Sequence, residues 1–145
     1  MTSPSVSIPP MPRPVATSIE ELSEGATGRR AFRNDDGKSG SSFERVEIDG
    51  ERCVLKTMHV HDDWLARGLG DLACRQVTVW ASGLLDLYPA SLDHTAVGAA
   101  RGFGPGGWGA ALLMRDVGDH LVPEGDDPVP PAQHTAFIDH MAELS

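Results

Sequence analysis

The dipeptide Asp49-Gly50 constrains the fold of this chain more than any other short motif. Both residues tolerate a positive φ, which a two-residue hairpin turn requires at its central positions. Apolar residues stand at positions 43, 46 and 48 before the dipeptide, and residues 52–58 continue after it with the alternation of a returning strand. The sequence therefore predicts two strands that pair antiparallel around this turn.

A loop rich in glycine and serine comes directly before the first of these strands. Its sequence, Gly37-Lys-Ser-Gly-Ser-Ser42, lets backbone amides approach an anion closely, and its hydroxyl groups add further donors. Strand alternation places Val54 and Lys56 on one face of the returning strand. A loop of this composition above a lysine is typical of a phosphate-binding pocket. The alternative is an ordinary hairpin tip with a lysine on an edge strand.

The Walker A phosphate loop is excluded as an explanation of this loop. The position of its first glycine holds Phe32, and the pattern that follows the loop is that of a strand, where Walker A requires a helix.

Length and charge limit the classes of protein that this chain can represent. A domain of 145 residues buries about 68–70% of its unfolded surface, so a core is possible. The net charge of −9 argues against nucleic-acid and anionic-membrane partners, because both are bound through clustered Lys and Arg. No segment approaches the ~20 apolar residues of a membrane span, and no signal peptide is evident, so we expect a cytoplasmic protein.

The cysteines and histidines do not indicate a metal site. Cys53 and Cys74 lie among apolar residues without a second metal-binding pair, and we expect both to be reduced. His59 and His61 share one face of a strand but lack a third imidazole or thiolate at suitable spacing, so we predict no metal ligand.

Composition divides the chain into four segments. Residues 1–17 carry five prolines among serine and threonine and predict a disordered leader. A main domain is expected over residues 18–118 and a proline-rich linker over residues 119–131. Residues 132–145 have apolar side chains at helical spacing, with Phe137, Met141 and Leu144 on one face.

Within the main domain the pattern predicts an α+β fold with an antiparallel sheet of about five strands and one or two helices. Besides the hairpin, strands are expected over residues 30–33, 94–100 and 108–115. A helix capped by Asp62 or Asp63 is expected to reach Leu72. A second is predicted over residues 75–85, for which a strand is the alternative.

Taken in order, these parts resemble the small lobe of the protein-kinase-like superfamily, in its aminoglycoside phosphotransferase and choline kinase branch. The matching parts are the hairpin at residues 37–50, the lysine of Cys53-Val-Leu-Lys56, a helical region, and two strands of which the second ends in Leu112-Leu-Met-Arg-Asp-Val-Gly118. The resemblance covers about residues 25–145 and lies in the order of the parts, since each motif alone is degenerate. It implies an ATP-binding lobe whose last motif is the hinge that binds adenine through its backbone.

The resemblance implies a role for each matching position. Lys56 would pair with the α- and β-phosphates, and a helix carboxylate would pair with Lys56, for which Asp71 is favoured over Asp63 and Asp62. The remaining nucleotide contacts implied are Ser39, Gly40, Ser41 and Ser42 over the phosphates, Val46 and Val54 over the adenine, and Met114, Arg115, Asp116 and Val117 at the hinge.

The chain departs from the family at the catalytic end. The family places a catalytic aspartate after a histidine in a glycine-containing loop, and a later aspartate binds magnesium. Neither is matched, because His140-Met-Ala-Glu143 lacks the glycine and has a helical pattern. We therefore expect no catalytic residue and no magnesium ligand in this chain, although the cofactors of the reaction would be ATP and Mg.

The function expected from the resemblance is that of the ATP-binding part of a small-molecule phosphotransferase, inactive alone. Residues 132–145 would be the first helix of its large lobe, and a small-molecule acceptor would bind only to a full-length protein. The alternative is a stand-alone pseudokinase fragment that acts as a protein-interaction module, or a non-functional remnant.

Overall fold

The computed structural model describes residues 9–33, 40–120 and 127–144. Within these residues five strands form an antiparallel sheet in the order β1-β2-β3-β5-β4, so the predicted α+β fold is confirmed. Short 3₁₀ turns connect several of the elements. In chain order the helices and strands are α1 (Ile19–Leu22), β1 (Thr27–Phe32), β2 (Ser42–Ile48), β3 (Glu51–His59), α2 (Trp64–Gly68), α3 (Arg75–Ser82), β4 (Ala96–Phe103), β5 (Gly109–Arg115) and α4 (Pro131–Ala142).

The hairpin of β2 and β3 forms around the predicted turn. Asp49 and Gly50 have φ angles of 51° and 80°, the left-handed conformation that this turn requires. Ile48 pairs with Glu51 across the turn, and the antiparallel register continues without a break to Ser42. Because every later pair follows from the first, the turn determines which face of the sheet each side chain occupies.

Helices cover both faces of the sheet and divide the core in two. On the face we call the α3 face, β3 and β5 pack against Val77 and Trp80 of α3. On the opposite face, the α1 face, Ile19 and Leu22 pack in the cluster that contains the fully buried Leu55. Successive side chains of β3 alternate between these two cores.

Residues 11–16 form a segment, the N-terminal strap, that lies across the end of α3. The Arg13 N–H donates to the Ala81 carbonyl oxygen at 2.9 Å, and the Trp80 indole N–H donates to the Pro14 carbonyl oxygen at 3.0 Å. The Arg13 guanidinium also stacks over the Trp80 ring at 4.4 Å. The strap therefore closes one side of the core over α3.

The prediction of a disordered leader over residues 1–17 is wrong for the strap. Ala16 forms a parallel bridge with Ala100 of β4, which adds its backbone to the sheet edge. Proline lacks an N–H donor but keeps its carbonyl acceptor and a preset extended φ, so a proline-rich segment can still lie along a helix and accept from it. Residues 1–8 lie outside the described residues.

The region between β3 and β4 contains two short helices. Asp63 caps α2 by accepting from the N–H groups of Leu65 and Ala66, at 2.8 and 3.0 Å, which confirms one of the two predicted caps. This helix ends at Gly68, well before the predicted Leu72, because Gly68 and Gly70 are poor helix residues. Residues 75–82 are helical, so the strand alternative for this segment is wrong.

The C-terminal helix α4 forms where the sequence predicted a helix. Phe137 and Met141 are 43% and 67% exposed, and no residue of α4 is buried within the described chain. Part of the predicted linker, residues 121–126, lies outside the described residues.

Candidate functional site

Lys56 lies on the α3 face of β3, with its side chain half buried. The register places it opposite Phe43 of β2 and Leu112 of β5, and it places Val54 opposite Met114 of β5. Three of the residues predicted to contact a nucleotide, Val54, Lys56 and Met114, therefore share one face of the sheet.

A cavity of about 250 Å³ opens beside Lys56. Ser41 borders it from the loop that precedes β2, and Asp71 borders it from the segment that precedes α3. Met58 and Val60 form part of its apolar wall. The cavity thus brings together a cation, a loop hydroxyl, the carboxylates of Asp63 and Asp71, and an apolar wall.

The loop residues predicted to cover the phosphates are only partly described. Ser39 lies outside the described residues. Gly40 has a φ of 69°, and Ser42 begins β2, where it is paired with Thr57. Ser41 is therefore the loop residue whose position beside Lys56 the structure describes.

Each of the three carboxylates predicted as partners of Lys56 contacts another group. Asp71 accepts a hydrogen bond from the N–H of Arg75, the first residue of α3, at 2.7 Å. Asp63 caps α2, and Asp62 lies 2.7 Å from the Nδ1 atom of His59. Within the described part of the chain Lys56 forms no ion pair, so the predicted pairing with Asp71 is not observed.

Gln76, in the first turn of α3, contacts Lys56. The Lys56 ammonium donates to the Gln76 side-chain oxygen at 3.4 Å, and both residues line the cavity. Gln76 was not predicted, because the usual partner of such a lysine is a carboxylate. Its position in the sequence could have indicated it, because Gln76 directly precedes Val77, which is buried, on the predicted helix.

Val46 does not belong to this site, and its predicted place over an adenine is wrong. Val46 pairs with Cys53, is 3% exposed and packs in the core of the α1 face. Arg45 occupies the corresponding position on the α3 face, opposite Val54. The residues of β2 that accompany Lys56 are thus Phe43 and Arg45, which the sequence analysis did not select.

Arg45 and Phe43 belong to a cluster of flat side chains at the outer part of the α3 face. The Arg45 guanidinium lies 4.4 Å from the Phe32 ring centre, and the rings of Phe32 and Phe43 are 5.7 Å apart. Flat side chains in such arrangements give stacking surfaces for another planar group.

The residues predicted as the hinge form the end of β5 and the turn after it. Met114 remains in the sheet, between Val54 and Ala96. The N–H of Arg115 donates to the Thr95 carbonyl oxygen at 2.9 Å. The N–H of Asp116 donates to the Arg52 carbonyl oxygen, also at 2.9 Å. Two of the four predicted hinge amides are therefore engaged in contacts to neighbouring strands and loops.

The side chain of Asp116 stabilises the same turn. One of its oxygens accepts from the Gly118 N–H at 2.9 Å, and the other lies 3.6 Å from the Arg45 guanidinium. The Val117 carbonyl oxygen accepts from the His120 N–H at 2.8 Å. These contacts place the turn beside the stacked Arg45.

Cys74 lines the same cavity as Lys56. It is 5% exposed, has a φ of 53° and lies 4.0 Å from the Met58 sulfur. Burial raises the pKa of the Cys74 thiol, which keeps it protonated and unreactive at neutral pH. Both cysteines are free, as predicted.

The described residues hold no group of three or more His, Cys, Asp or Glu side chains placed to bind a metal ion. None of the helices in residues 9–33, 40–120 and 127–144 has the length and apolar character needed to cross a membrane. The chain matches no protein-family model, no curated protein and no solved structure.

Proposed function

We propose that this chain is the nucleotide-binding part of a kinase-like small-molecule phosphotransferase of the aminoglycoside phosphotransferase and choline kinase type. In this proposal Lys56 binds the phosphates of ATP. The residues from Met114 to Val117 lie beside the base, and the chain alone does not transfer a phosphoryl group.

The observation that carries the proposal is the position of Lys56. Its ammonium group lies at the edge of a cavity that Ser41 borders from the glycine- and serine-rich loop. Met114, near the end of β5, lies on the same face of the sheet, two residues after Leu112, which is paired with Lys56. A triphosphate and a base need sites separated in this way, with the cation near the loop and the apolar surface near the strand end.

The order of elements also supports the proposal. The lysine strand is followed by helices and then by two strands, the second of which ends at the predicted hinge. In such a lobe the protein acts by holding phosphates with fixed positive charge and backbone donors, and bound Mg would supply further charge neutralisation. The cytoplasmic location expected from the sequence remains a prediction that fits a consumer of ATP.

The proposal is tested by titrating the chain with Mg-ATP and following tryptophan fluorescence and heat release. We expect saturable binding that Lys56→Ala weakens about tenfold or more, since an ion pair with a phosphate is lost. Arg67→Ala is the matched control, because it removes the same charge from an exposed residue at the end of α2 that does not line the cavity.

Two results would contradict the proposal. One is the absence of Mg-ATP binding by the parent chain at millimolar nucleotide. The other is equal weakening by Lys56→Ala and Arg67→Ala, which would mean that only the overall charge of the chain matters.

An interaction module is the second candidate, and the exposed apolar face of α4 favours it. Phe137, Ile138 and Met141 are 43%, 66% and 67% exposed. An apolar helix face of this kind is covered in most folded proteins by another element or a partner. A chain that binds no nucleotide but loses self-association or partner binding on Met141→Asp would support this second function.

A further inference from the structure

We infer that Gln76 is the positioning residue of Lys56, and that its neutral amide adds no negative charge that would oppose the attraction of the lysine for a bound phosphate. This inference rests on the proposed function, since it concerns how the same site holds a polyphosphate. It differs from the expectation that a carboxylate would neutralise Lys56.

The geometry limits the possible partners of Lys56. Gln76 presents a side-chain oxygen 3.4 Å from the ammonium group, and both residues line the same cavity. Asp63 and Asp71 also line this cavity, and one side-chain oxygen of each accepts from helix N–H groups: that of Asp63 from Leu65 and Ala66, and that of Asp71 from Arg75 at 2.7 Å. Asp71 thereby stabilises the start of the helix that presents Gln76.

The chemical consequence follows from the charges. A carboxylate close to an ammonium group reduces the field that the ammonium exerts on a third charge nearby. An amide oxygen accepts a hydrogen bond from the ammonium and fixes its direction without removing its charge. A site built from Lys56 and Gln76 is therefore selective for the polyphosphate part of a ligand, because the base contributes no formal charge to this attraction.

The test compares Gln76→Glu and Gln76→Ala with the parent in binding to three probes: Mg-ATP, inorganic tripolyphosphate and adenosine. We expect Gln76→Glu to weaken Mg-ATP and tripolyphosphate binding about tenfold, because the new carboxylate neutralises Lys56. We expect Gln76→Ala to weaken the binding of Mg-ATP and of tripolyphosphate about two- to fivefold, because it removes the hydrogen bond that orients the Lys56 ammonium but adds no charge. Adenosine binding is expected to stay the same in both variants.

Gln133→Glu is the matched control for charge. It makes the same substitution in the first turn of α4, a helix that does not border the cavity, and it changes the net charge equally. The Glu variant at position 76 should fold, since a carboxylate in the first turn of α3 interacts favourably with the helix dipole.

The outcomes separate this inference from the function on which it rests. If Lys56→Ala weakens Mg-ATP binding but Gln76→Glu behaves like Gln133→Glu, the role of Gln76 is refuted and the nucleotide site stands. Equal weakening of adenosine and Mg-ATP by the Gln76 variants would show a merely structural role and would also refute the inference. If the parent binds neither Mg-ATP nor tripolyphosphate, the inference and the proposed function both fail.

Discussion

Substitution of Gly83 by alanine tests how the N-terminal strap is held against α3. Gly83 follows the last residue of α3 and has a φ of 75°. A Cβ atom at this position would lie 2.1 Å from the carbonyl oxygen of Met11 in the strap. Gly25 also has a φ of 75°, but a Cβ atom there would meet nothing within 4 Å. Gly25→Ala is therefore a control with the same backbone strain and no contact.

The expected magnitudes follow from this difference. An L-residue in the left-handed conformation costs about 1–2 kcal/mol, and this part is common to both variants. The clash at Gly83 also displaces the strap, which breaks the Arg13 N–H bond to Ala81 and the Trp80 bond to Pro14, each worth about 0.5–1.5 kcal/mol. Stacking of Arg13 on Trp80 adds about 0.5–1 kcal/mol. We therefore expect Gly83→Ala to cost about 2.5–6 kcal/mol and Gly25→Ala about 1–2 kcal/mol.

The assay is equilibrium unfolding in urea, followed by the far-ultraviolet circular dichroism of each variant. An unchanged dependence of stability on urea concentration would show that the two folded states expose similar surface. Equal losses of stability in Gly83→Ala and Gly25→Ala would refute the reasoning, because the contact between Met11 and Gly83 would then contribute nothing.

Two further predictions concern residues around the cavity. Asp71→Ala should lower the free energy of unfolding by about 1 kcal/mol, because the Arg75 N–H loses its acceptor. Asp71→Asn should cost less, since the amide oxygen still accepts from this N–H. Equal losses of stability in urea unfolding would contradict this capping role. Burial raises the pKa of the Cys74 thiol in the folded protein. The protonated thiol therefore stabilises the fold fully at a pH below the ordinary cysteine pKa of about 8.5, and this stabilisation is lost as the pH rises through the folded-state pKa. Cys74→Ala should therefore lose less stability than the parent between about pH 8 and pH 10, the range around that ordinary value; parallel losses in thermal unfolding would argue against it.

The hairpin could be predicted from the sequence in full, including its register. A two-residue turn at Asp49-Gly50 pairs Ile48 with Glu51, and each step back along β2 then matches one step forward along β3. This count places Val46 opposite Cys53, on the face away from Lys56. The wrong assignment of Val46 came from choosing an apolar residue by type, when the register already excluded it.

The contacts around α3 could not be predicted in the same way. Gln76 contacts Lys56 because α2 and the segment after it bring the start of α3 back to β3. The length of α2 in turn depends on Gly68 and Gly70, where the helix ends. The strap depends on several contacts with residues distant in sequence, among them the close approach of Met11 to Gly83. Contacts of this kind join residues distant in sequence, and no local periodicity reports them.

The acidic residues around the cavity stabilise the starts of the two short helices that border it. The helices α2 and α3 have only five and eight residues, so their free N–H groups form a large share of each helix. One oxygen of Asp63 and one oxygen of Asp71 accept from these donors. Gln76, in the first turn of α3, accepts from the Lys56 ammonium at 3.4 Å, so the short helix whose start Asp71 stabilises also presents the partner of the lysine.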